Sequence, residues 1–164
     1  SALGPMADVV YRSLQHLRVE DLRAIATFLK ALPPTRSQAG DGKPADPAVL
    51  ELGAKRYEKH CADCHGARGE GVKSPAGAWM YPPLAGNRTV IMDPPANLVR
   101  VIVHGGFLPA TAGNPRPFGM PPFGLALDDD EIAAITSFLR SSWGAAAGAV
   151  SPQDVARFRG GAGD

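Results

Sequence analysis

The stretch that decides the fold is Cys61-Ala62-Asp63-Cys64-His65, where two thiols stand three positions apart and an imidazole follows the second thiol. These two cysteines are the only ones in the chain, and they would close too short a ring for a useful structural disulfide. A thioredoxin-like redox pair would need a βαβ context, but no segment alternates apolar and polar residues as a strand does. A structural zinc site usually needs four ligands. The other histidines are scattered along the sequence, at His16, His60 and His104, so such a site would be hard to build.

C-x-x-C-H is the attachment pattern of a c-type haem, and its spacing has a geometric reason. Two thiols three residues apart at a helix end can each add to one vinyl group of the haem, and the next residue then lies under the iron as an imidazole ligand. We therefore predict one covalently bound haem c, attached through Cys61 and Cys64, with His65 as a ligand of the iron. His60 directly precedes the motif and is expected at the surface. A non-haem module that uses the two cysteines in redox or metal chemistry is the alternative, and the absorption spectrum separates the two.

A haem that only transfers electrons needs a second axial ligand, and Met120 is the candidate. A thioether is a soft ligand, and His/Met ligation raises the haem potential. Met120 lies in the stretch Phe118–Phe123 (FGMPPF), whose prolines favour an extended loop that can press a side chain onto the iron. Met80 and Met92 are the rival ligands, and methionine is also a common filler of protein cores.

Helical patterns surround the motif and predict an all-α fold. Asp46-Pro47 is typical of an N-cap followed by proline at the first helical position, and the helix that begins there runs to about His60. Apolar residues at helical spacing predict further helices, whereas stretches rich in glycine and proline are expected to be irregular. The further helices are expected at residues 18–32, 96–104, 128–142 and 152–158, and the irregular stretches at 66–95 and 107–124.

Composition and charge limit the possible functions and locations. The net charge is +1, from 17 basic and 16 acidic residues, without the clustered basic surplus that marks a nucleic-acid-binding surface. The sequence has no run of about 18 apolar residues, so we predict no transmembrane segment in this chain. Its first ten residues, SALGPMADVV, lack the basic and apolar regions of a signal peptide. Because bacteria attach haem to thiols outside the cytoplasm, the expected location is the periplasm, or the periplasmic face of the membrane through partners.

One internal repeat is visible. Residues 21–30 (DLRAIATFLK) match residues 131–140 (EIAAITSFLR) without a gap. A methionine precedes each segment, Met6 in the first case and Met120 in the second. We infer that an element used at the end of the chain is also used near its start.

Residues 46–143 resemble the class I cytochrome c fold. Gly53 and Tyr57 stand eight and four positions before the first cysteine of the motif. In that family a small residue and an aromatic residue at these places cross the C-terminal helix. Ile135 and Phe138 resemble their partners on that helix.

The resemblance also implies roles for residues around the haem. Pro82-Pro83-Leu84 resembles the family's Pro-x-Leu segment, in which the proline carbonyl accepts the second N–H of the axial histidine and fixes its ring. Either Pro82 or Pro83 can supply that carbonyl, and Pro82 is favoured. The resemblance likewise implies that Tyr57 belongs to the cofactor site.

Three segments resemble, more narrowly, the cytochrome c subunits of bacterial membrane-bound dehydrogenases: Pro82–Asn87 (PPLAGN), Met120–Gly124 (MPPFG) and Ser142-Trp143-Gly144. Those enzymes oxidise alcohols, sugars, aldehydes or sugar acids, and their cytochrome subunits typically carry three haem domains in series. On this resemblance, residues 1–36 look like the end of a preceding haem domain, with Gly4-Pro5-Met6 as its Met loop. A cloning scar followed by a start methionine is the alternative for Gly4-Pro5-Met6.

The resemblance implies an electron-transfer domain and not an enzyme. Residues 37–46 would form a linker, residues 47–144 the haem domain, and residues 145–164 a C-terminal tail with a short helix. The expected redox partners are a dehydrogenase catalytic subunit, other haem domains, and a quinone or an oxidase. The alternative is a haem enzyme with a labile distal methionine, such as a peroxidase or a sulfur-compound oxidoreductase, which would need an open or labile sixth position on the iron.

Overall fold

The computed structural model describes residues 3–33, 42–75, 77 and 79–160, and these fall into two compact units. The first unit comprises the described part of residues 1–37 together with residues 106–119. The second comprises the described parts of residues 38–105 and 120–164. Half of the linker predicted at 37–46, residues 37–41, lies outside the described residues. All the predicted haem-site residues belong to the second unit.

The first unit contains helix α1 (Pro5–Arg12), a 3₁₀ turn (Leu14–His16) and helix α2 (Val19–Ala31). α2 agrees with the helix predicted at 18–32 to within one residue at each end. α1 differs from the Met loop expected at Gly4-Pro5-Met6, because Pro5 occupies the first turn of a helix, a position that suits its fixed φ angle. Met6 is therefore helical.

The second unit carries six helices among its described residues: α3 (Pro47–His60), α4 (Ala62–His65), α5 (Arg88–Ile91), α6 (Ala96–His104), α7 (Asp129–Ser141) and α8 (Pro152–Arg159). Across the described residues of both units, and apart from one isolated bridge between Thr111 and Asn114, strand pairing is confined to two pairs of very short strands. These are β1 (Val72–Lys73) with β2 (Trp79–Tyr81), and β3 (Gly106–Phe107) with β4 (Gly119–Met120). The all-α prediction is confirmed. None of the described helices is both long enough and apolar enough to cross a membrane.

The core of the second unit forms where α3 crosses α7. A Cβ atom on Gly53 would collide with the carbonyl oxygen of Ala134 and would lie 2.7 Å from the Cβ of Phe138. A glycine at this position therefore lets the two helix backbones approach closely. The largest apolar side chains that are fully buried in this core come from α3, α6, α7 and α8, and they are Tyr57, Val99, Ile132, Ile135 and Val155.

Capping side chains define where the later helices begin. The Asp128 carboxylate accepts a hydrogen bond from the Glu131 N–H, and the Glu131 carboxylate accepts one from the Asp128 N–H, which closes a capping box at the start of α7. Ser151 and Asp154 form the equivalent box at the start of α8. These caps explain why both helices begin within one residue of the predicted position.

A buried arginine on α7 joins two loops of the second unit. Arg140 is 1% exposed, and its Nη2 donates to the Asp93 carboxylate at 2.6 Å. Its Nη1 donates to the Met92 carbonyl at 2.7 Å, and its Nε donates to the Gly148 carbonyl at 2.8 Å. All three nitrogens of the buried guanidinium thus have hydrogen-bond partners, which is the condition for burying such a charge without a large penalty.

Candidate haem-binding site

The two cysteines and the histidine of the motif occupy consecutive turns at the end of α3. The Cys61 N–H donates to the Tyr57 carbonyl at 2.8 Å, which completes α3, and the His65 N–H donates to the Cys61 carbonyl at 2.9 Å, which forms α4. Both thiols are free and partly buried. α3 thus delivers the three side chains of the predicted haem motif within one short segment.

The chemistry of the thiols bears on the two non-haem alternatives. Burial raises the pKa of the Cys61 thiol to about 11, and the neighbouring Cys64 adds to this. A redox-active cysteine normally has a lowered pKa, because the thiolate is the reactive form. No group of three or more His, Cys, Asp or Glu side chains among the described residues is arranged to hold a metal ion. The raised pKa of the Cys61 thiol is the opposite of what a reactive thiolate requires.

A backbone carbonyl fixes the ring of His65. The His65 Nδ1 lies 2.9 Å from the carbonyl oxygen of Pro82. A carbonyl can only accept, so Nδ1 must carry the proton, and Nε2 keeps its lone pair for a metal. The Pro83 carbonyl instead accepts from the side-chain amide of Asn87 at 3.1 Å. Of the two carbonyls that the sequence leaves open, that of Pro82 is therefore the one that contacts the histidine.

The loop after His65 brings this carbonyl into place. The Gly71 N–H donates to the His65 carbonyl at 2.7 Å, so the chain turns back immediately after α4. The N–H groups of Leu84 and Ala85 donate to the Gly69 carbonyl at 2.8 and 2.9 Å. The segment that carries Pro82 is thus tied to the turn that follows the histidine.

Tyr57 stabilises the same turn through a hydrogen bond from its hydroxyl group. Its hydroxyl donates to the Gly66 carbonyl at 2.6 Å, and its ring is 2% exposed. The ring packs against Phe138 and Trp143, with centroid separations of 5.6 and 5.3 Å. Burial raises the pKa of Tyr57, so it stays a neutral donor. The contacts of Tyr57 are therefore those of a residue that holds the backbone next to His65.

The segment Met120–Gly124, the Met120 loop, is hydrogen-bonded to the end of α6. The Phe123 and Gly124 N–H groups donate to the carbonyls of Ile102 and Val103 at 2.9 and 3.0 Å, and so cap the last turn of α6. Gly105, the residue directly after α6, has a φ of +64°, and a Cβ on it would collide with the Met120 carbonyl. The Met120 loop thus lies flat against the end of α6.

The side chains of the Met120 loop belong to the same apolar cluster as the attachment segment. Met120 and Phe123 are partly buried and pack against the core, as do Cys61, Ala62 and Leu84. The ring of Phe123 also lies edge-on to the ring of His60, with centroids 5.8 Å apart. His60 is therefore partly buried and takes part in packing, which differs from the surface position expected from the sequence.

The rival methionines lie elsewhere. Met92 is 42% exposed, and its carbonyl is held by Arg140. Met80 lies in β2, which pairs with β1, and neither methionine is among the partly buried residues that pack against the core cluster. His104 ends α6 and is exposed. Met120 is thus the methionine whose surroundings match those of the cysteines.

The residues present fit a covalently attached haem. The two free thiols would supply the thioether sulfurs, and the hydrogen bond to Pro82 leaves one nitrogen of His65 available as a ligand. Leu84, Met120 and Phe123 are apolar and only partly buried, so they offer surface to an apolar macrocycle.

This donor set on an all-helical scaffold defines a class of protein, the domains that hold a covalently attached haem. A family model described as cytochrome c matches residues 50–143, and the chain belongs to the cytochrome c family. The predicted fold class and the family resemblance are confirmed.

Several characterised proteins are similar to nearly the whole chain. The cytochrome c subunit of a quinone-dependent alcohol dehydrogenase from Gluconobacter oxydans is 40% identical over 168 residues, which cover 97% of this chain and 34% of that subunit. The corresponding subunit from Komagataeibacter europaeus is 39% identical over 97% of this chain and 35% of its own length. The gluconate 2-dehydrogenase cytochrome c subunit of Pantoea cypripedii is 36% identical over 97% of this chain and 37% of its own length.

The chain therefore spans about a third of the length of these relatives. They are named as cytochrome c subunits of dehydrogenases, which agrees with the prediction of an electron-transfer component rather than a catalytic one.

Proposed function

We propose that this chain is an electron-transfer domain with a single haem c, attached through Cys61 and Cys64 and ligated by His65 and Met120. The observation that carries the proposal is the 2.9 Å hydrogen bond from the His65 Nδ1 to the Pro82 carbonyl. This bond fixes the tautomer and the orientation of an imidazole that directly follows two thiols. Such outer hydrogen bonds to a ligating histidine are the usual companions of a metal site.

The haem supplies one-electron chemistry at the iron, and the residues of the chain adjust it. The Pro82 carbonyl makes the His65 ring more basic by accepting its proton, whereas a thioether from Met120 favours the reduced iron and raises the potential. The turn held by Tyr57 and Gly71 keeps the imidazole in one orientation. A ligand set that is fixed in this way lowers the reorganisation needed when an electron arrives or leaves.

The names of the relatives suggest the direction of transfer. Electrons would come from the catalytic subunit of a dehydrogenase, directly or through another haem domain, and would pass towards a quinone or an oxidase. The location would be the periplasm, or the periplasmic face of the membrane through partner proteins. A net charge of +1 predicts only weak salt dependence of the encounter with these partners.

The repeat suggests that residues 1–36 are the end of a preceding haem domain. α2 carries the first copy of the repeat and α7 carries the second. Ile135 of α7 is fully buried against its own domain, whereas the equivalent Ile25 of α2 is 44% exposed and Phe28 is 65% exposed. An exposed apolar stripe on a copy of a core helix is what remains when the helix that would cross it is not in this chain.

Absorption spectroscopy on the matured protein tests the haem and its ligands. We expect one haem per polypeptide from the pyridine haemochrome spectrum, and a near-infrared charge-transfer band from methionine ligation in the oxidised state. Met120→Ala should remove that band and lower the potential, because the soft ligand is lost. Met92→Ala is the matched control and should leave both unchanged.

Three outcomes would contradict the proposal. A colourless matured protein would exclude the haem, and retention of the near-infrared band in Met120→Ala would exclude Met120 as the ligand. Rapid binding of cyanide to the oxidised wild-type protein would indicate an open sixth position, which favours the haem enzyme instead.

A further inference from the structure

Helix α8 lies outside the part of the chain that the cytochrome c family model matches. The match ends at residue 143, and α8 spans Pro152–Arg159. The helix is nevertheless a built part of the second unit, because Val155 is fully buried and α8 packs against both α6 and α7. The capping box of Ser151 and Asp154 fixes its beginning. α8 is therefore a structural part of the second unit and not a loosely attached tail.

The last residue of α8 donates hydrogen bonds to the segment that follows Met120. The Arg159 Nη1 donates to the Gly124 carbonyl at 2.6 Å, and its Nη2 donates to the Leu127 carbonyl at 3.2 Å. Its Nε donates to the Asp129 carboxylate at 2.7 Å. One guanidinium thus joins the end of the Met120 loop, the turn after it and the first residue of α7.

Gly124 is held from both sides. Its N–H donates to the Val103 carbonyl at 3.0 Å, and its own carbonyl accepts from Arg159. Between it and Met120 lie Pro121, Pro122 and Phe123, and the two prolines have fixed φ angles. The segment from Met120 to Gly124 therefore has few backbone rotations that could absorb a displacement of Gly124.

We propose that Arg159 is a positioning residue for the Met120 ligand, which it holds through the Gly124 carbonyl. The inference rests on the proposed function, since it takes Met120 as a ligand of the iron. The bond is charge-assisted and therefore stronger than one between neutral groups. α8 is in this sense an addition to the cytochrome c domain that keeps the sixth ligand in place.

The test is Arg159→Gln in the full-length matured protein, compared with Arg157→Gln. Arg157 lies on the same helix and is exposed, and its replacement by glutamine removes the same charge. In Arg159→Gln we expect cyanide to bind the oxidised haem about tenfold faster than in wild type, because the ligand is released more often when a charged hydrogen bond is lost. The near-infrared methionine band should also disappear at a lower temperature, at which the helical circular dichroism is still unchanged.

Two further variants separate the effect of the carbonyl contact from the effects of the ion pair and of the charge itself. Asp129→Asn removes the ion pair but leaves the bonds of Arg159 to Gly124 and Leu127, so cyanide binding should stay close to the wild-type rate. Arg159→Lys keeps the charge but lacks the three-pronged guanidinium, so its rate should lie between those of wild type and Arg159→Gln. It also provides a measurement if the glutamine variant does not mature.

The inference is overturned if Arg159→Gln behaves like Arg157→Gln, or if Asp129→Asn accelerates cyanide binding as much as Arg159→Gln does. These results are distinct from failure of the proposed function. That failure would appear in the wild-type protein as a missing methionine band, or in Met120→Ala as a band that persists.

Discussion

The imidazole of His65 and the carbonyl of Pro82 are joined by a hydrogen bond of 2.9 Å across 17 positions of sequence. A backbone carbonyl cannot be removed by replacing its own side chain, so its role has to be tested through the residues that place it. Gly71 is such a residue, because a Cβ on it would lie 2.7 Å from both the Tyr81 carbonyl oxygen and the Pro83 nitrogen.

We predict that Gly71→Ala pushes the Pro82 segment away from His65. The free energy of unfolding should fall by about 1–2 kcal/mol from the positive φ alone. The potential should rise, because a less basic imidazole stabilises the oxidised iron less. Gly86→Ala is the control, since Gly86 has a similar φ of +69° but open space around its Cβ position. A potential shifted equally in both variants would show that strain, and not the histidine contact, is responsible.

Tyr57→Phe should retain the ring packing and remove only the bond to the Gly66 carbonyl. We expect a loss of about 0.5–1.5 kcal/mol in the free energy of unfolding, measured by urea denaturation at pH 7. Because folding raises the pKa of this phenol above its ordinary value of 10.0, the folded state holds the proton more tightly. The stabilisation is therefore complete below pH 10 and is lost as the pH rises above it. The difference between wild type and Tyr57→Phe should shrink above pH 10, and a constant difference would contradict this.

Arg140→Met should be among the most damaging single changes in the second unit. The substitution leaves the Asp93 carboxylate and the carbonyls of Met92 and Gly148 without their donor. Breaking a buried pair on one side typically costs about 3–5 kcal/mol, and we expect the lower end of this range because the Asp93 side chain is 26% exposed. Urea denaturation measures the loss, and Arg157→Met, which changes an exposed arginine, should stay within about 0.5 kcal/mol of wild type.

The two copies of the repeat offer a matched pair of substitutions. Ile135→Ala removes a fully buried side chain and should lower the free energy of unfolding by about 2–5 kcal/mol. Ile25→Ala changes the equivalent residue of α2, which is 44% exposed, and should cost well under half as much. The two losses would be equal if both helices were packed alike. That result would refute the proposal that the apolar stripe of α2 lacks its crossing helix.

Local patterns in the sequence predicted much of this fold. The bounds of α3 and α6 follow from Asp46-Pro47 and from Gly105, which are local start and stop signals acting on their own neighbours. The attachment residues could be predicted for the same reason, since the thiols and the imidazole lie in five consecutive positions. The role of Pro82 could be predicted only from the family resemblance, because a hydrogen bond across 17 positions produces no periodic pattern in the sequence.

Other features could not be predicted because they depend on long-range contacts. The local sequence predicts that Arg140 lies at the exposed, polar end of a helix. Its burial depends on hydrogen bonds to residues that lie 47 to 50 positions earlier in the sequence. The same holds for Arg159, whose bond to Gly124 spans 35 positions. The family resemblance assigns Gly4-Pro5-Met6 to a Met loop and so gives no indication of α1, although proline is also favoured in the first turn of a helix.

The close approach of Gly53 to Ala134 has a consequence for the order of folding. The helix that carries the attachment segment gains its main packing partner only after 81 positions of chain, much of it irregular, have been brought back to it. The chain must lose the conformational entropy of closing this long loop before the contacts between α3 and α7 can stabilise the unit. The rate at which this unit folds should therefore be governed by the return of α7, and substitutions that speed the formation of α3 alone should leave that rate almost unchanged.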